Sequence, residues 1–314
     1  DLRVLAVPVM AALPDYTNAK SLTFAWSTVE GGMRYDLWYI VDPDGNPETP
    51  DQQFETVRGI PVQEYTLNIE NAPTGAKIWS VVCAFDAVGN VTEYSDPVSI
   101  TVDREGPVVT LGAPPTTPTT NPRPTWTWSG GDALSGVSHY IVTIATLGDE
   151  PQIQTQITET SFTPVSNLPD GVYVLKVYGV DNLGNVGAEK PFDQVSIDTT
   201  APAPPAIKPI LKGYNTPRVT LEWDKVADHG NGVGYVLQWA KDAGFSGFHD
   251  ETIEAARGTQ CVFSFADTEH PENKGEGEYW FRVKTISTVN GTTTPPQTKE
   301  SGWSAVVSTT YDVT

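Results

Sequence analysis

The chain has few of the residues on which most catalytic sites depend. Its 314 residues include two cysteines and four histidines. The histidines have no metal-ligand spacing, no Gly-x-Ser-x-Gly sequence occurs, and no phosphate-binding glycine loop follows a predicted strand. No predicted insertion is long enough to shelter a pair of carboxylates in a cleft. The sequence therefore predicts a protein that is not an enzyme.

Basic residues are also scarce. Lys and Arg number 19 against 39 Asp and Glu, so the formal net charge is −20. Binding to a phosphate backbone requires clustered Lys and Arg, and an anionic membrane repels an acidic surface. The chain has no run of about 18 apolar residues, and its first residues lack the charged-then-apolar order of a signal peptide. We therefore expect a soluble mature chain or fragment that neither binds nucleic acid nor inserts into a membrane.

What the chain has in abundance is repetition. A strand-like segment that ends in tryptophan occurs at residues 23–26, 125–128 and 220–223. The turn sequence of residues 86–90 returns at 181–185, an offset of 95 residues. A period near 95 matches a small β-sandwich and is too long for a solenoid repeat. The 27 glycines and 26 prolines are spread along the chain, which is typical of an all-β protein with many turns.

Alternating apolar residues predict strands with one buried face. Tyr140, Val142 and Ile144 alternate in the second repeat, and matching alternations follow the tryptophan in the other two. Helical periodicity is nowhere sustained. A Pro-Asp-Gly-Asn turn at residues 43–46 follows the first of these strands. The fold class is therefore all-β, with each repeated tryptophan in a sandwich core.

The ends of the repeats predict the domain boundaries. A short joint followed by proline occurs near 104–107 and again near 199–202. We expect three sandwiches, at residues 1–104, 105–199 and 200–314. Cys83 and Cys261 then lie in different outer domains, so we expect free thiols, with Cys261 a small buried residue.

The repeats resemble tandem fibronectin type III domains and related bacterial immunoglobulin-like modules. The likeness rests on the strand tryptophan, the Asp-x-x-Gly-Asn turn and the Asp-Thr-Thr-Ala-Pro joint at residues 198–202. In the third repeat, the sequence Tyr-Trp-Phe-Arg-Val at residues 279–283, followed by Trp303, is similar to the type III pattern in which an aromatic and an arginine on one strand stack against a tryptophan. Arg282 is then expected beside Trp280 and Trp303. The third repeat departs from the pattern because it has a predicted loop from Ser287 to Glu300 in place of the turn. The resemblance implies three immunoglobulin-like sandwiches in an elongated rod.

Four aspartates near the ends of the repeats are candidate metal ligands: Asp86, Asp103, Asp181 and Asp198. In the related bacterial repeats, such residues share a calcium ion that stiffens a joint, and calcium prefers carboxylate and carbonyl oxygens. The alternative is that Asp86 and Asp181 accept hydrogen bonds from their own turns, while Asp103 and Asp198 end a strand. Calcium is the one cofactor that the sequence makes a candidate.

Two tryptophans are candidates for a contact surface. If Tyr35, Leu37 and Tyr39 point into the core, then Trp38 points outward, and the same alternation turns Trp79 outward. In a type III-like sandwich these strands are neighbours, so Trp38 and Trp79 are predicted to face solvent together and to contact a sugar or a protein. The alternative is that they pack on each other or lie beneath the loop of residues 42–61.

The function implied by this likeness is structural. We expect an extracellular or cell-surface spacer or adhesive stalk, part of a larger bacterial or archaeal surface or secreted protein, whose partners are neighbouring domains. The alternative is a carbohydrate-binding module attached to a secreted polysaccharide-degrading enzyme.

Overall fold

The computed structural model describes residues 5–42, 54–227, 233–253, 258–266, 275–290 and 296–314. Within these ranges it contains 23 strands and no helix. A helix that could cross a membrane is accordingly absent from the described residues. The turn predicted at residues 43–46 lies outside them.

The first domain contains seven strands. They are β1 (Tyr16–Thr17), β2 (Ser21–Ala25), β3 (Arg34–Asp42), β4 (Glu55–Ile60), β5 (Glu64–Asn68), β6 (Lys77–Phe85) and β7 (Val98–Val102). Five of them form a sheet in the order β1-β7-β6-β3-β4, and β2 pairs with β5 in the facing sheet. Met10 extends this second sheet by a bridge to Trp26. The two inner faces enclose one apolar core.

The second domain contains eight strands. They are β8 (Val108–Leu111), β9 (Trp126–Gly131), β10 (Val137–Thr146), β11 (Ile153–Ile157), β12 (Ser161–Phe162), β13 (Gly171–Asp181), β14 (Lys190–Pro191) and β15 (Val195–Ile197). One sheet has the order β12-β9-β8. The other has the order β11-β10-β13-β14, with β15 also paired to β13.

The third domain repeats the arrangement of the first. Its strands are β16 (Gly213–Tyr214), β17 (Arg218–Glu222), β18 (Val233–Ala240), β19 (His249–Ile253), β20 (Gln260–Ser264), β21 (Gly277–Asn290), β22 (Gln297–Glu300) and β23 (Val307–Tyr311). The large sheet has the order β16-β23-β21-β18-β19, and β17 pairs with β20. Strand pairing thus falls into three groups, β1–β7, β8–β15 and β16–β23.

The repeated tryptophans occupy the three cores, as predicted. Trp26, Trp128 and Trp223 are 6%, 5% and 1% exposed. Each contacts the tyrosine that begins the following alternation, with ring centroids 5.3 to 5.7 Å apart. Edge-on and tilted ring contacts of this kind stabilise the fold beyond the effect of burying the rings.

The cysteine predictions are also confirmed. Cys83 and Cys261 are buried free thiols. Cys261 lies opposite Leu221. Tyr65 and Phe162 lie opposite the corresponding residues of the first two domains, so the small cysteine takes an aromatic position.

One sequence prediction about the third domain is wrong. Ser287 was expected to begin a long loop that reaches Glu300, but β21 continues through Asn290 and β22 pairs back onto it. Ser287 and Val289 alternate as buried residues, so the segment has the two-residue period of a strand. The loop prediction relied on the absent Gly-Asn turn and overlooked this alternation.

The exposed surface of the chain can be compared with that of compact globules. The chain exposes 17494 Å². A single compact globule of its mass would expose about 12,800 Å², whereas three separate globules of one third that mass would expose about 17,200 Å². The exposed area is thus closer to that of three separate globules, and individual side chains join the domains at the two joints.

Candidate functional site

The first joint is built around the turn that follows β13. Asp181 Oδ1 accepts hydrogen bonds from the backbone N–H groups of Leu183 (2.9 Å) and Asn185 (2.7 Å). Asp181 Oδ2 accepts one from Asn185 Nδ2 at 2.7 Å. Gly184 has φ +87°, which favours glycine at this position. The sequence Asp-x-x-Gly-Asn thus folds into a turn closed by its own aspartate.

This turn contacts the end of the first domain. Asn18 Nδ2 donates hydrogen bonds to Leu183 O at 2.9 Å and to Asn185 Oδ1 at 3.2 Å. Asn185 Nδ2 also donates to Asp103 O at 3.0 Å. Asn18 directly follows β1 and Asp103 directly follows β7, so the first domain presents both from the end at which its chain leaves.

Three carboxylates meet at this joint. Asp103, Asp132 and Asp181 each bring one oxygen within 4.8 Å of the others. Asp103 is 1% exposed and Asp181 is 2% exposed. Ser135 joins them, because its N–H donates to Asp103 Oδ2 at 3.1 Å and its Oγ donates to Asp181 Oδ2 at 3.0 Å. Asp132 comes from the β9–β10 connection and was not singled out from the sequence.

Neighbouring dipoles favour the ionised form of the Asp181 carboxyl group. Burial alone raises the pKa of Asp181, but hydrogen bonds from Asn185, Ser135 and Leu183 outweigh it and lower that pKa. Arg104, next to Asp103, turns away and donates to carbonyls of the first domain, including Ala19 O at 2.7 Å and Ile69 O at 2.8 Å. Within the described ranges, no Lys or Arg forms an ion pair with the three carboxylates.

This donor set fits a hard divalent cation. Calcium takes oxygens at about 2.3–2.6 Å, so two oxygens on opposite sides of one ion lie about 4.8 Å apart. The spacing of the three carboxylates falls within that limit. Each carboxylate also accepts backbone hydrogen bonds, and for Asp181 this is the alternative role that the sequence left open.

The second joint is built differently. Lys299 Nζ forms an ion pair with Asp198 Oδ1 at 2.5 Å, and the two side chains are 7% and 20% exposed. Gln297 Oε1 accepts a hydrogen bond from Thr120 N at 3.1 Å. Asp198, a candidate calcium ligand, thus has a lysine as its partner. Both Gln297 and Lys299 lie on β22, where the sequence predicted a loop.

Asp86 remains within its own turn. Its carboxylate accepts hydrogen bonds from Val88 N, Asn90 N and Asn90 Nδ2 at 2.7 to 2.9 Å. The Asn90 side chain is the main reason that the pKa of Asp86 is lowered. The turn follows Phe85 at the end of β6, whereas the first joint lies beyond the opposite end of that strand, where Lys77 pairs with Thr101. Asp86 is therefore remote from Asp103.

Trp38 and Trp79 lie on the outer face of the first domain's larger sheet. Strands β3 and β6 pair, with Trp38 opposite Val81 and Ile40 opposite Trp79. Both tryptophans are half-buried. Tyr94 contacts Trp38 edge-on at 5.8 Å, and Lys77 Nζ lies 4.3 Å from the Trp79 ring centre. No ring contact joins the two tryptophans among the described residues.

The arginine stack of the third domain includes Phe245, which the sequence did not indicate. Arg282 lies 4.6 Å from the Trp303 ring centre and 4.0 Å from that of Phe245. Gln238 Oε1 accepts its Nε–H at 2.7 Å. Phe245 has φ +52°, an unusual value for a large side chain. Two aromatic rings and Gln238 contact the guanidinium, so this cluster is a packed structural element.

Comparisons with known proteins bear on the fold of the chain alone. No family model and no curated protein matches the chain. Among solved structures, it is similar to the chicken CNTN1 FN1–FN3 domains, at 14% identity and a TM-score of 0.37, over 98% of each chain. A similarity at this level says nothing about function. The strand orders described above are those of tandem immunoglobulin-like, fibronectin type III-like sandwiches.

Proposed function

We propose that the chain is a non-enzymatic spacer or adhesive segment of a larger extracellular or cell-surface protein of bacterial or archaeal origin. The observation that carries this proposal is the construction of the joints. At each one, side chains of one domain bond to the next, while the domains share little surface. A string of stable domains with restrained joints holds its two ends apart, which is what a spacer requires.

The restraint comes from where the bonds are placed. At the first joint, Asn18 and Asp103 lie after different strands, so their contacts oppose rotation about a single linker. At the second joint, the ion pair between Lys299 and Asp198 is largely removed from water, where it is screened less by salt than an exposed pair. Each joint therefore resists bending without a large apolar interface.

Solution scattering tests this spacer function. Three sandwiches end to end predict a particle about 100–130 Å long. Its radius of gyration should be near 35 Å, against about 20 Å for a compact globule of 314 residues. The variant Asn18→Ala should broaden the distribution of lengths, whereas Gln156→Ala, on an exposed edge strand, should not. A compact parent particle would contradict the spacer proposal.

We also propose that the first joint binds calcium through Asp103, Asp132 and Asp181. The support is that the three carboxylates lie close together and that no Lys or Arg of the described residues forms an ion pair with them. Calorimetry should detect binding that Asp132→Asn weakens at least about tenfold, because one of three anionic ligands is lost. An asparagine at 132 still accepts the turn's hydrogen bonds.

Asp86→Asn is the matched control for calcium. It removes one carboxylate from the Asp-x-x-Gly-Asn turn of the first repeat, outside the cluster, and should leave the affinity unchanged. Absence of heat with millimolar calcium, or equal effects of the two variants, would refute the metal site without touching the spacer function.

A second candidate function is ligand contact at Trp38 and Trp79. The favouring observation is that both indoles are partly open on one sheet face, beside Tyr94, which is 52% exposed. Aromatic faces of this kind bind sugars or apolar protein surfaces. Adding a candidate glycan should change the tryptophan fluorescence of the parent and of the control Trp303→Ala. It should not change the fluorescence of Trp38→Ala or of Trp79→Ala. An unchanged parent spectrum with every glycan would refute sugar binding.

A further inference from the structure

A small cavity lies on the outer face of the large sheet of the third domain. Tyr279 and Phe281 face the core, so the alternation of β21 turns Trp280 to this outer face. Trp280 lines the cavity together with other residues of β21 and β23 and with Lys212, which directly precedes β16. The cavity has a volume of about 180 Å³. Drug-sized ligands occupy about 300 Å³ or more, so this cavity has room for one small ring.

Trp280 gives the cavity an aromatic wall that is not already covered. The ring is half-buried, and among the described residues no other ring and no cationic side chain contacts it. Trp223, Trp239 and Trp303 of the same domain each have such a contact. Arg282, which was expected beside Trp280, lies over Trp303 instead. The Trp280 ring is therefore available to a ligand.

Polar side chains of both hydrogen-bonding senses surround this ring. Ser308 lies opposite Trp280, and Thr310 lies opposite Glu278. Glu278 and Lys212 are exposed, and neither forms an ion pair within the described ranges. The lysine donates hydrogen bonds, the carboxylate accepts them, and the two hydroxyl groups do both.

This combination fits a neutral sugar ring. One Lys and one Glu leave the cavity without net charge. An anion would be repelled by Glu278 and by the −20 charge of the chain, and a cation would be repelled by Lys212. An apolar group would displace water from the polar side chains without replacing its hydrogen bonds. A pyranose has both an apolar CH face for the indole and hydroxyl groups for its polar neighbours.

The first domain has the same frame in a closed form. Trp79 lies opposite Ser99, and Lys77 lies opposite Thr101, in the register that the third domain repeats. Lys77 Nζ lies 4.3 Å from the Trp79 ring centre, so it covers that ring. The third domain has Glu278 at the position of Lys77, which leaves its tryptophan without a cation.

A domain that follows does not close this face. Trp79 remains partly open although the second domain comes directly after the first. The hydrogen bonds that join these two domains start from Asn18 and Asp103, which follow β1 and β7. A domain that followed the third in the same way would therefore leave the cavity at Trp280 accessible.

We propose that this cavity binds one neutral pyranose ring of a saccharide. The CH face of the sugar stacks on Trp280, and its hydroxyl groups hydrogen-bond to Lys212, Glu278, Ser308 and Thr310. One stacked ring with a few hydrogen bonds gives a dissociation constant in the millimolar range. The site goes beyond the spacer function and is separate from the contact proposed in the first domain.

Nuclear magnetic resonance of the ¹⁵N-labelled full chain tests the proposal. The probes are the methyl glycosides of glucose, galactose and mannose. At least one should cause saturable shifts of the Trp280 indole N–H and of the amides of residues 278–280 and 308–310. The methyl glycoside of glucuronic acid should bind more weakly, because its carboxylate approaches Glu278. No saturable shift with any of the three neutral glycosides, or tighter binding of the acidic one, overturns the proposal.

Two variants of one exposed residue complete the test. Glu278→Lys repeats the lysine of the first domain, which should cover Trp280 and weaken binding at least about tenfold. Glu278→Gln still hydrogen-bonds to hydroxyl groups and should weaken binding much less. Trp280→Ala should remove the shifts at residues 308–310. Equal affinities of the two Glu278 variants, or persistence of the shifts in Trp280→Ala, would overturn the proposal. Neither result affects the spacer function, because scattering measures it separately.

Discussion

Replacing Trp128 by alanine should unfold the second domain well before its neighbours. Trp128 is 5% exposed and packs on Tyr140, with ring centroids 5.7 Å apart. Burying roughly 200 Å² of indole at about 25 cal/mol per Å² gives about 5 kcal/mol as an upper estimate. Its indole N–H has no hydrogen-bond partner among the residues that the structure describes, so the truncation breaks no such bond. Observed costs of such truncations, about 3–5 kcal/mol, are a large part of the stability of a domain of this size.

The assay is differential scanning calorimetry of the full chain. A loss of about 4 kcal/mol lowers the melting temperature of one small domain by roughly 15–30 °C. About one third of the unfolding enthalpy should therefore move to this lower transition. The control Trp303→Ala removes a half-buried ring that stacks on Arg282, and should cost about 1 kcal/mol in the third domain only.

Two results would refute the reasoning. A Trp128→Ala chain that melts like the parent would mean that the second core does not depend on this ring. A uniform shift of all three domains would mean that the domains unfold as one cooperative unit, contrary to the small shared surface.

Three further predictions concern charged and ionisable groups. Lys299→Met should destabilise the third domain by about 1–3 kcal/mol in urea unfolding, because Asp198 is left largely buried and unpaired. Adding Asp198→Asn to this variant should recover most of the lost stability. A double variant that is no more stable than Lys299→Met would contradict the pairing. Hydrogen bonds from Thr200 and its neighbour Thr199 lower the pKa of Asp170 to about 2. The ionised Asp170 therefore stabilises the fold above about pH 4, and this contribution is lost as the pH falls toward 2. Urea unfolding across that range should find Asp170→Asn less stable than the parent at pH 7 and equal to it near pH 2. Burial raises the pKa of Tyr279 to about 12, so the stability from its neutral form is lost as the pH rises from about 10 to 12. In Tyr279→Phe the free energy of unfolding should fall less steeply over that range. A slope equal to that of the parent would contradict the assignment.

Local patterns were enough to predict the cores. The two-residue alternation places Tyr140, Val142 and Ile144 on one face, and all three are buried. The repeated tryptophan and the Gly-Asn turn depend on neighbours within a few residues in sequence, where backbone geometry is dictated locally. Cys261 was placed correctly for the same reason, because its strand repeats the pattern of the other two.

The joints could not be derived from the sequence in the same way. Asp132 lies 29 residues after Asp103 in the sequence, and Lys299 lies 101 residues after Asp198, yet the members of each pair are neighbours in the structure. Sequence predicted a loop at the segment that supplies Lys299, and Asp132 resembled any acidic residue of a highly charged surface. By itself the sequence determined three sandwiches, their cores and their turns, because those follow from the periodicity of single strands. Only the tertiary structure decided which end residues meet, because that depends on how two folded domains are set against each other and no local period encodes it.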